Sequence, residues 1–405
     1  MSNHAKHNSA RLAAAVSTAE QSITADSTPV AAEVIRHVYV HIPFCARLCP
    51  YCAFYKDLLD RSQTRQFCEA ILGELERHQL HGQTGHDLSL HAPSTIYFGG
   101  GTPTALSIAQ LEGLLRGFHE RLDLSELVEW TVEANPGSVS RRKAAVLKTF
   151  GVNRISLGVQ SWDNDLLRLL GREHNADQAE ESFRILRAEG STNINVDLMF
   201  GLPGQTADQW RASLEKTVAL QPEHISTYCL TYEQDTEFFL RHVRGEFRQD
   251  PDADAEFFEM TMTTLENAGY EHYEISNYAR VGFESVHNRA YWLGKDYLGI
   301  GPSAVSTIGM HRWQNVCDYR AYIDRVLSGR SPSASMENLT DEMKRTERIA
   351  LSLRTRDGVS VSETTAFGEK TDEFIRLGLL QQSNGRFVLT PKGRALADSV
   401  AEAFL

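Results

Sequence analysis

The sequence predicts an α/β fold: an open, partial (β/α)6 barrel followed by a smaller α+β domain. Three observations carry this. Between residues 38 and 230, six short β-rich runs alternate with longer runs of helical periodicity, the pattern of a parallel sheet with crossover helices. Those units fill about 200 residues, short of the ~250 that a closed eight-stranded TIM-type barrel needs. Beyond residue 235 the alternation stops, and aromatic, Gly and Asn residues precede a helical C-terminal stretch.

Residues 1–34 are rich in Ala, Ser and Thr, lack the apolar segment of a secretory signal and read as a disordered tail. With only Lys6 and Arg11 as bases, they make a weak organelle address. The barrel is assigned to residues 35–235. Its strands are expected at Val38–Ile42, Thr95–Phe98, Val128–Glu133, Arg154–Val159, Asn193–Leu198 and His224–Leu230. Phe67, Ala70, Ile71 and Leu75, and then Leu111, Leu114, Leu115 and Phe118, have the spacing of helices packed on that sheet. Residues 236–335 form an extension, with a helix over 251–268 and short strands and loops over 272–316. Residues 336–405 carry helices and then Asn384-Gly385, a tight hairpin turn signal, so they read as winged-helix-like. Residues 341–405 hold ten acidic and ten basic side chains, without the basic footprint of a DNA binder, and suit a cap on the open barrel.

Lys plus Arg is 41 and Asp plus Glu is 53, a net charge of −12. Such a chain has no overall attraction for nucleic acid or anionic membranes, and no apolar run is long enough for a transmembrane helix. Of six cysteines, Cys45, Cys49 and Cys52 crowd together while Cys68, Cys229 and Cys317 are scattered. This is no disulfide framework and suits a reducing cytosol. The scattered three read as small buried apolar residues.

Unusual polar residues cluster at the carboxyl ends of the strands. The cysteines follow the first, and Gly99-Gly100-Gly101-Thr102-Pro103 follows the second. Glu133, Gln160-Ser161, Asp197, and Tyr228 with Thr231 mark the third to the sixth. Ligands bind at this end of barrels and open α/β sheets. Cys45-x3-Cys49-x2-Cys52 offers three thiolates, the usual ligands of iron–sulfur clusters. Three can hold three irons of a cubane and leave the fourth to a chelating small molecule. S-adenosylmethionine supplies such a chelate through its amino and carboxylate groups, and an electron from the cluster then cleaves a carbon–sulfur bond. A zinc site with His41 or a distant residue as fourth ligand is the competing reading; the three-then-two spacing and the glycine run after the next strand favour the cluster.

The stretch from Tyr39 to Cys52 resembles the radical S-adenosylmethionine superfamily and, within it, the oxygen-independent coproporphyrinogen III oxidase-like branch, from about residue 36 to the C-terminus. The resemblance implies a [4Fe–4S] cluster on Cys45, Cys49 and Cys52, with S-adenosylmethionine against Gly99, Gly100, Gly101 and Thr102. It implies that Glu133, Gln160 and Asp197 contact the cofactor, that Arg172 meets the methionyl carboxylate, and that Tyr39 lies near the sulfonium. Dehydrogenases of this branch carry a further cysteine two positions after the third; here that residue is Phe54. Haem chaperones of the branch carry an HNxxYW signature, and His287-Asn288-x2-Tyr291-Trp292 resembles it. A His can ligate haem iron, and Tyr and Trp offer flat faces to a porphyrin; a packed aromatic cluster around a hydrogen-bonded His is the alternative. The resemblance therefore implies a cytoplasmic haem chaperone. It would bind haem as cargo, deliver it to acceptor haem proteins, respiratory ones among them, and draw electrons from a flavodoxin or ferredoxin. It would have no nucleic-acid partner and no integral membrane segment. Coproporphyrinogen III dehydrogenase is the alternative function, and cofactor cleavage stays open. His174, Arg312 and Asn315 resemble branch positions without an evident role.

Overall fold

A computed structural model of the chain describes residues 35–80, 90 and 92–405; the tail expected over residues 1–34 lies outside them. Six strands, β1 (His37–Ile42), β2 (Thr95–Gly100), β3 (Glu129–Ala134), β4 (Arg154–Gln160), β5 (Ile194–Phe200) and β6 (His224–Cys229), lie side by side in chain order, each parallel to the next. All six predicted strands are present, with ends displaced by one or two residues. Three short strands lie in the stretch where short strands and loops were expected: β7 (Glu271–Glu274), β8 (Asn277–Ala279) and β9 (Leu298–Ile300). β9 adds a parallel strand outside β1, while β8 and β7 continue antiparallel beyond β6, which makes a sheet of nine strands. Strands of three or four residues are too short for a period to fix their individual bounds. β7 and β9 remain separate edges, so the barrel is open.

Side chains alternate across each strand. One face supplies Val38, Val40, Ile96, Phe98, Trp130, Val132, Ile155, Leu157, Val196 and Leu198, all buried. It packs under α1 (Thr64–Leu80), α2 (Ile108–Arg121), α3 (Arg141–Thr149), α4 (Ala176–Ala188) and α5 (Ala207–Leu220). α2, α4 and α5 each open on a capping box, Ser107 with Gln110, Asn175 with Gln178, and Thr206 with Gln209, which fixes where the crossover helices start. The inner face is polar: His37, Tyr39, His41, Thr95, Tyr97, Thr131, Glu133, Arg154, Ser156, Asn195, Asp197, His224 and Ser226. A closed barrel fills its interior with apolar layers; this one bounds a cavity.

After α6 (Pro251–Asn267), residues 272–316 contain a helix that the sequence reading assigned to strands and loops: α7 (Val286–Trp292). Seven residues are too few to hold a helix alone. Its start is fixed from outside, because the buried Glu129 carboxylate accepts from Val286 N at 2.9 Å and from His287 N at 3.0 Å, favourable at a helix N-terminus. A small antiparallel sheet follows, β10 (Val305–Ile308), β11 (His311–Asn315) and β12 (Ser333–Asn338), with α8 (Tyr319–Leu327) between the last two. Buried Glu74 on α1 ties these parts together, accepting from Asn315 Nδ2 at 2.7 Å, Tyr322 OH at 2.5 Å and Gly301 N at 2.9 Å. Arg312 grips Glu347 with two bonds of 2.8 and 2.6 Å. Asn315 and Arg312 thus hold the fold together.

The C-terminal unit comprises α9 (Asp341–Leu353), β13 (Val359–Ser360), α10 (Gly368–Arg376), β14 (Leu380–Ser383) and β15 (Arg386–Leu389), followed by two short helices, Pro391–Arg394 and Ala397–Glu402. This order, with its own apolar core of Ile349, Leu353, Val359, Leu380, Phe387 and Leu389, is winged-helix-like. Asn384 and Gly385 make the hairpin turn, both with positive φ (49° and 74°). The unit abuts the edge strand β7: Thr355 bridges Glu274, and Arg354 pairs with its carboxylate at 3.3 Å. Covering an edge in this way blocks further strand pairing.

Candidate functional site

The three cysteines lie in one loop at the carboxyl end of β1. The loop is closed by a two-strand clip, Phe44–Cys45 against Asp57–Leu58. It is pinned to the next strand by Gly101 N to Ile42 O and Thr102 N to Phe44 O, both 2.8 Å. His41 braces it from below, with Nε2 at 2.9 Å from the Tyr55 carbonyl and Nδ1 at 3.0 Å from Tyr39 OH. Both ring nitrogens of His41 are therefore engaged, which leaves none for a zinc ion. The glycine run has a packing reason. A Cβ at Gly99 would stand 2.7 Å from the Tyr97 ring, one at Gly100 2.6 Å from the His41 ring, and one at Gly101 2.5 Å from the Pro43 carbonyl oxygen. Glycine here lets the protein's own loop seat against β2.

Two donors point at the sulfurs: Thr102 Oγ1 at 3.7 Å from Cys45 and Arg172 Nη1 at 3.6 Å from Cys49. Lys56 Nζ donates to the Cys52 carbonyl. Among the described residues, no three His, Cys, Asp or Glu side chains converge on a point that would hold a single ion. Three thiolates that each take a different iron need no such convergence.

Below the loop opens a cavity of about 530 Å³, within the range of small-molecule sites. Of the residues singled out in the sequence, Cys45, Cys49, Cys52, Gly100, Gly101, Thr102, Glu133, Gln160, Arg172, Asp197 and Asn288 line it. Glu133 accepts from Tyr97 OH at 2.8 Å and Gly100 N at 3.1 Å. Burial pushes its carboxyl from 4.5 up to about 7, against the pull of the Tyr97 hydrogen bond. Asp197 accepts from Asn195 Nδ2 at 2.7 Å and Ser156 Oγ at 3.0 Å, and burial again raises it. Arg172 donates Nη2 to the Gly158 carbonyl at 2.8 Å, while its buried Nε has no partner. Gln160 stands at φ 69°, beside a register shift between β4 and β5. A left-handed non-glycine residue carries a strain of order 1 kcal/mol or more, which tends to gather at functional sites. Phe54, 71% exposed, forms part of the rim.

Tyr39 and Gly99 stand behind the lining, Tyr39 with its hydroxyl on His41. The motif on α7 divides. Asn288 reaches the cavity, but His287 is 1% exposed, with Nδ1 at 2.8 Å from Thr95 Oγ1 and Nε2 at 3.2 Å from Tyr291 OH. Its ring stacks on Tyr97 at 5.1 Å, and burial lowers its pKa to about 3, so the imidazole is neutral. Tyr291 packs on Tyr297 and Trp292 on Tyr273. This arrangement is the packed cluster weighed as the alternative to a haem site. His174 bonds Asn135 and the Val159 carbonyl and supports the cavity wall from behind. Residues the sequence reading missed include Tyr97, Arg154, Ser156 and Asn195, all on the inner face and all lining the cavity. Their signal was the alternation itself, since strands buried on both faces would read as continuous apolar runs.

A cysteine loop over a polar cavity, on an open parallel barrel, is the arrangement of the radical S-adenosylmethionine class, and residues 39–217 match the radical SAM superfamily. Residues 339–396 match the HemN C-terminal domain. The structure is similar in fold to coproporphyrinogen III oxidase (HemN) from Escherichia coli, a radical SAM enzyme, with a TM-score of 0.77, 23% identity, and coverage of 92% of this chain and 90% of that one. The "Heme chaperone HemW" of Lactococcus lactis is 37% identical over 91% of this chain and 96% of its own. That of Bacillus subtilis is 37% identical over 92% and 99%. The chain belongs to the HemW family.

Proposed function

We propose that this protein binds haem and passes it to acceptor haem proteins, on a core that holds a [4Fe–4S] cluster and S-adenosylmethionine. The observation that carries the reading is the likeness, along nearly the full length of both chains, to proteins named heme chaperones. Phe54, where dehydrogenases of the branch carry a cysteine, supports it.

The residues present suit both groups. Cys45, Cys49 and Cys52 would hold the cluster, with Thr102 and Arg172 donating to two of the sulfurs; such hydrogen bonds tune a cluster's potential. The unpartnered Arg172 Nε is a free donor for the methionyl carboxylate. Glu133 would meet a cationic amino group, which offsets the cost of ionising it in the cavity. When bound, the cluster and its cofactor supply one-electron cleavage of a carbon–sulfur bond. Tyr97 orients Glu133, and Gly100 fixes its second oxygen. The reductant is of the flavodoxin or ferredoxin class, and the acceptors include respiratory haem proteins. A cytoplasmic setting suits the free thiols, and no helix among the described residues is long and apolar enough to cross a membrane.

For haem, the α7 motif is the candidate site, and the geometry sets a condition. His287 Nε2 can reach iron only if the ring leaves Tyr291 OH. Haem titration of the reconstituted protein, followed by absorbance, tests both parts. Uptake that falls in His287→Ala supports the motif. Equal uptake by the two proteins removes His287 as the ligand, and no uptake by the unaltered protein removes the haem reading altogether.

A further inference from the structure

A chain of hydrogen bonds runs through the wall of the cavity and ends on Asp197. Asn195 and Asp197 stand on the inner face of β5, and β6 sets His224 directly beside Asn195. Asn195 Nδ2 donates to Asp197 Oδ1 and to Ser156 Oγ, each at 2.7 Å. Its Oδ1 faces His224 Nδ1 at 2.7 Å. Ser226 Oγ lies 3.1 Å from the same oxygen, but its one proton has a closer acceptor in Asn277 Oδ1 at 2.8 Å. On the other side, His224 Nε2 is 2.7 Å from the hydroxyl of Tyr273 on β7. That hydroxyl accepts from Ser285 N, at the start of α7, at 3.2 Å. His224 and Tyr273 are buried, and neither lines the cavity.

The protons in this chain have one arrangement. An ionised carboxylate only accepts, so Asn195 turns its amide nitrogen to Asp197 and its oxygen to His224. His224 must then carry its proton on Nδ1. Burial holds this imidazole well below its ordinary pKa, so it is neutral, and Nε2 is left as an acceptor for the Tyr273 hydroxyl. Arg154 on β4 favours the same arrangement, because its charge pulls both His224 and Asp197 downward. Each bond polarises the next, and all of them point toward Asp197.

We propose that His224 is a positioning residue for the cavity: through Asn195 it holds Asp197 as a fixed, charged acceptor for a hydroxyl or amino donor of the bound ligand. A carboxylate has about four acceptor sites. Asn195 and Ser156 take one on each oxygen, which leaves the others to a ligand. Without a donor at His224, the Asn195 amide is free to turn over and set its oxygen against the carboxylate, where like charges repel. The inference rests on the reading that S-adenosylmethionine occupies this cavity.

The test measures the affinity of the full-length reconstituted protein for S-adenosylmethionine by calorimetry. His224→Leu keeps the bulk and removes the donor. His224→Asn is smaller but returns an amide N–H to the place of Nδ1. The leucine variant is expected to weaken S-adenosylmethionine about tenfold, the size of one hydrogen bond to a charged group, and the asparagine variant to restore most of that loss. A role in packing alone gives the reverse order, since asparagine leaves a void, and that order would overturn the proposal. Asp197→Asn is expected to weaken the cofactor by itself, and His224→Leu added to it to change the affinity no further. Two losses that multiply would overturn the proposal as well. A further readout needs neither a cofactor nor the leucine variant: nitrogen NMR of the histidine-labelled unaltered protein, with the His224 signal assigned by its absence from His224→Asn. The neutral Nδ1–H tautomer supports the chain, and Nε2–H overturns it. If the unaltered protein binds no S-adenosylmethionine, the cofactor reading fails alone, and the tautomer decides the chain.

Discussion

Replacing Glu133 by Gln should stabilise the cofactor-free protein, and the gain should depend on pH in a defined direction. Burial raises the Glu133 carboxyl from 4.5 to about 7 in the folded chain, while the unfolded chain returns it to its ordinary value. A raised carboxyl is favourable to folding at low pH, where both states are protonated, and that contribution is lost as pH rises from the unfolded value through the folded one. The interval, 4.5 to about 7, corresponds to roughly 3 kcal/mol at about 1.4 kcal/mol per pH unit. Gln keeps the shape, can donate to the Tyr97 hydroxyl and can accept from Gly100 N, but it has no charge to desolvate. Glu133→Gln should therefore match the unaltered protein in denaturant titrations near pH 4.5 and exceed it by about 1–3 kcal/mol at pH 8. The same variant should bind S-adenosylmethionine more weakly, because the amino group loses its counter-charge. A difference that does not change with pH, or a variant less stable at pH 8, would refute the picture of a carboxylate held at a cost for a cationic ligand.

Three further outcomes follow from the geometry. Serine at Cys45, Cys49 or Cys52 should each abolish the iron and sulfide content of anaerobically reconstituted protein, while serine at Cys68 or Cys317 should leave it intact, as iron analysis will show. Gly101→Ala places a methyl 2.5 Å from the Pro43 carbonyl oxygen; backbone on both sides must shift, at a cost of about 1–3 kcal/mol, and cluster incorporation should fall with the loop displaced. Asn315→Ala removes a 2.7 Å bond to the buried Glu74 carboxylate and should lower stability by about 2 kcal/mol in thermal unfolding, with iron content and cofactor affinity unchanged.

The parallel core was legible because each of its strands carries at least six residues of regular alternation, and the cysteine loop because its spacing is local. What escaped detection is non-local. α7 is only seven residues long, and its start is held by Glu129, which lies more than 150 positions earlier. β9 falls where short strands were expected, but at three residues its bounds and its place beside the edge of β1 could not be read locally. The glycine run was visible but its packing reason was not, since the groups that exclude a side chain there, the His41 ring and the Pro43 carbonyl, belong to another strand and its loop. Arg154 went unseen because attention to the carboxyl ends of strands passes over a residue at the opposite end. The His287 motif shows the converse: residue types and spacing named a site, yet packing turned the imidazole inward and left Asn288 to face the cavity.

The central claim is that a cluster-bearing barrel here serves haem delivery. The most direct test loads the reconstituted protein with haem, mixes it with the apo form of a respiratory haem enzyme, and follows the acceptor's activity, with coproporphyrinogen III and reductant supplied in a parallel anaerobic reaction. The account predicts that the acceptor gains haem and activity while coproporphyrinogen III is left unchanged. Conversion of coproporphyrinogen III to protoporphyrinogen IX, with no haem reaching the acceptor, would contradict it.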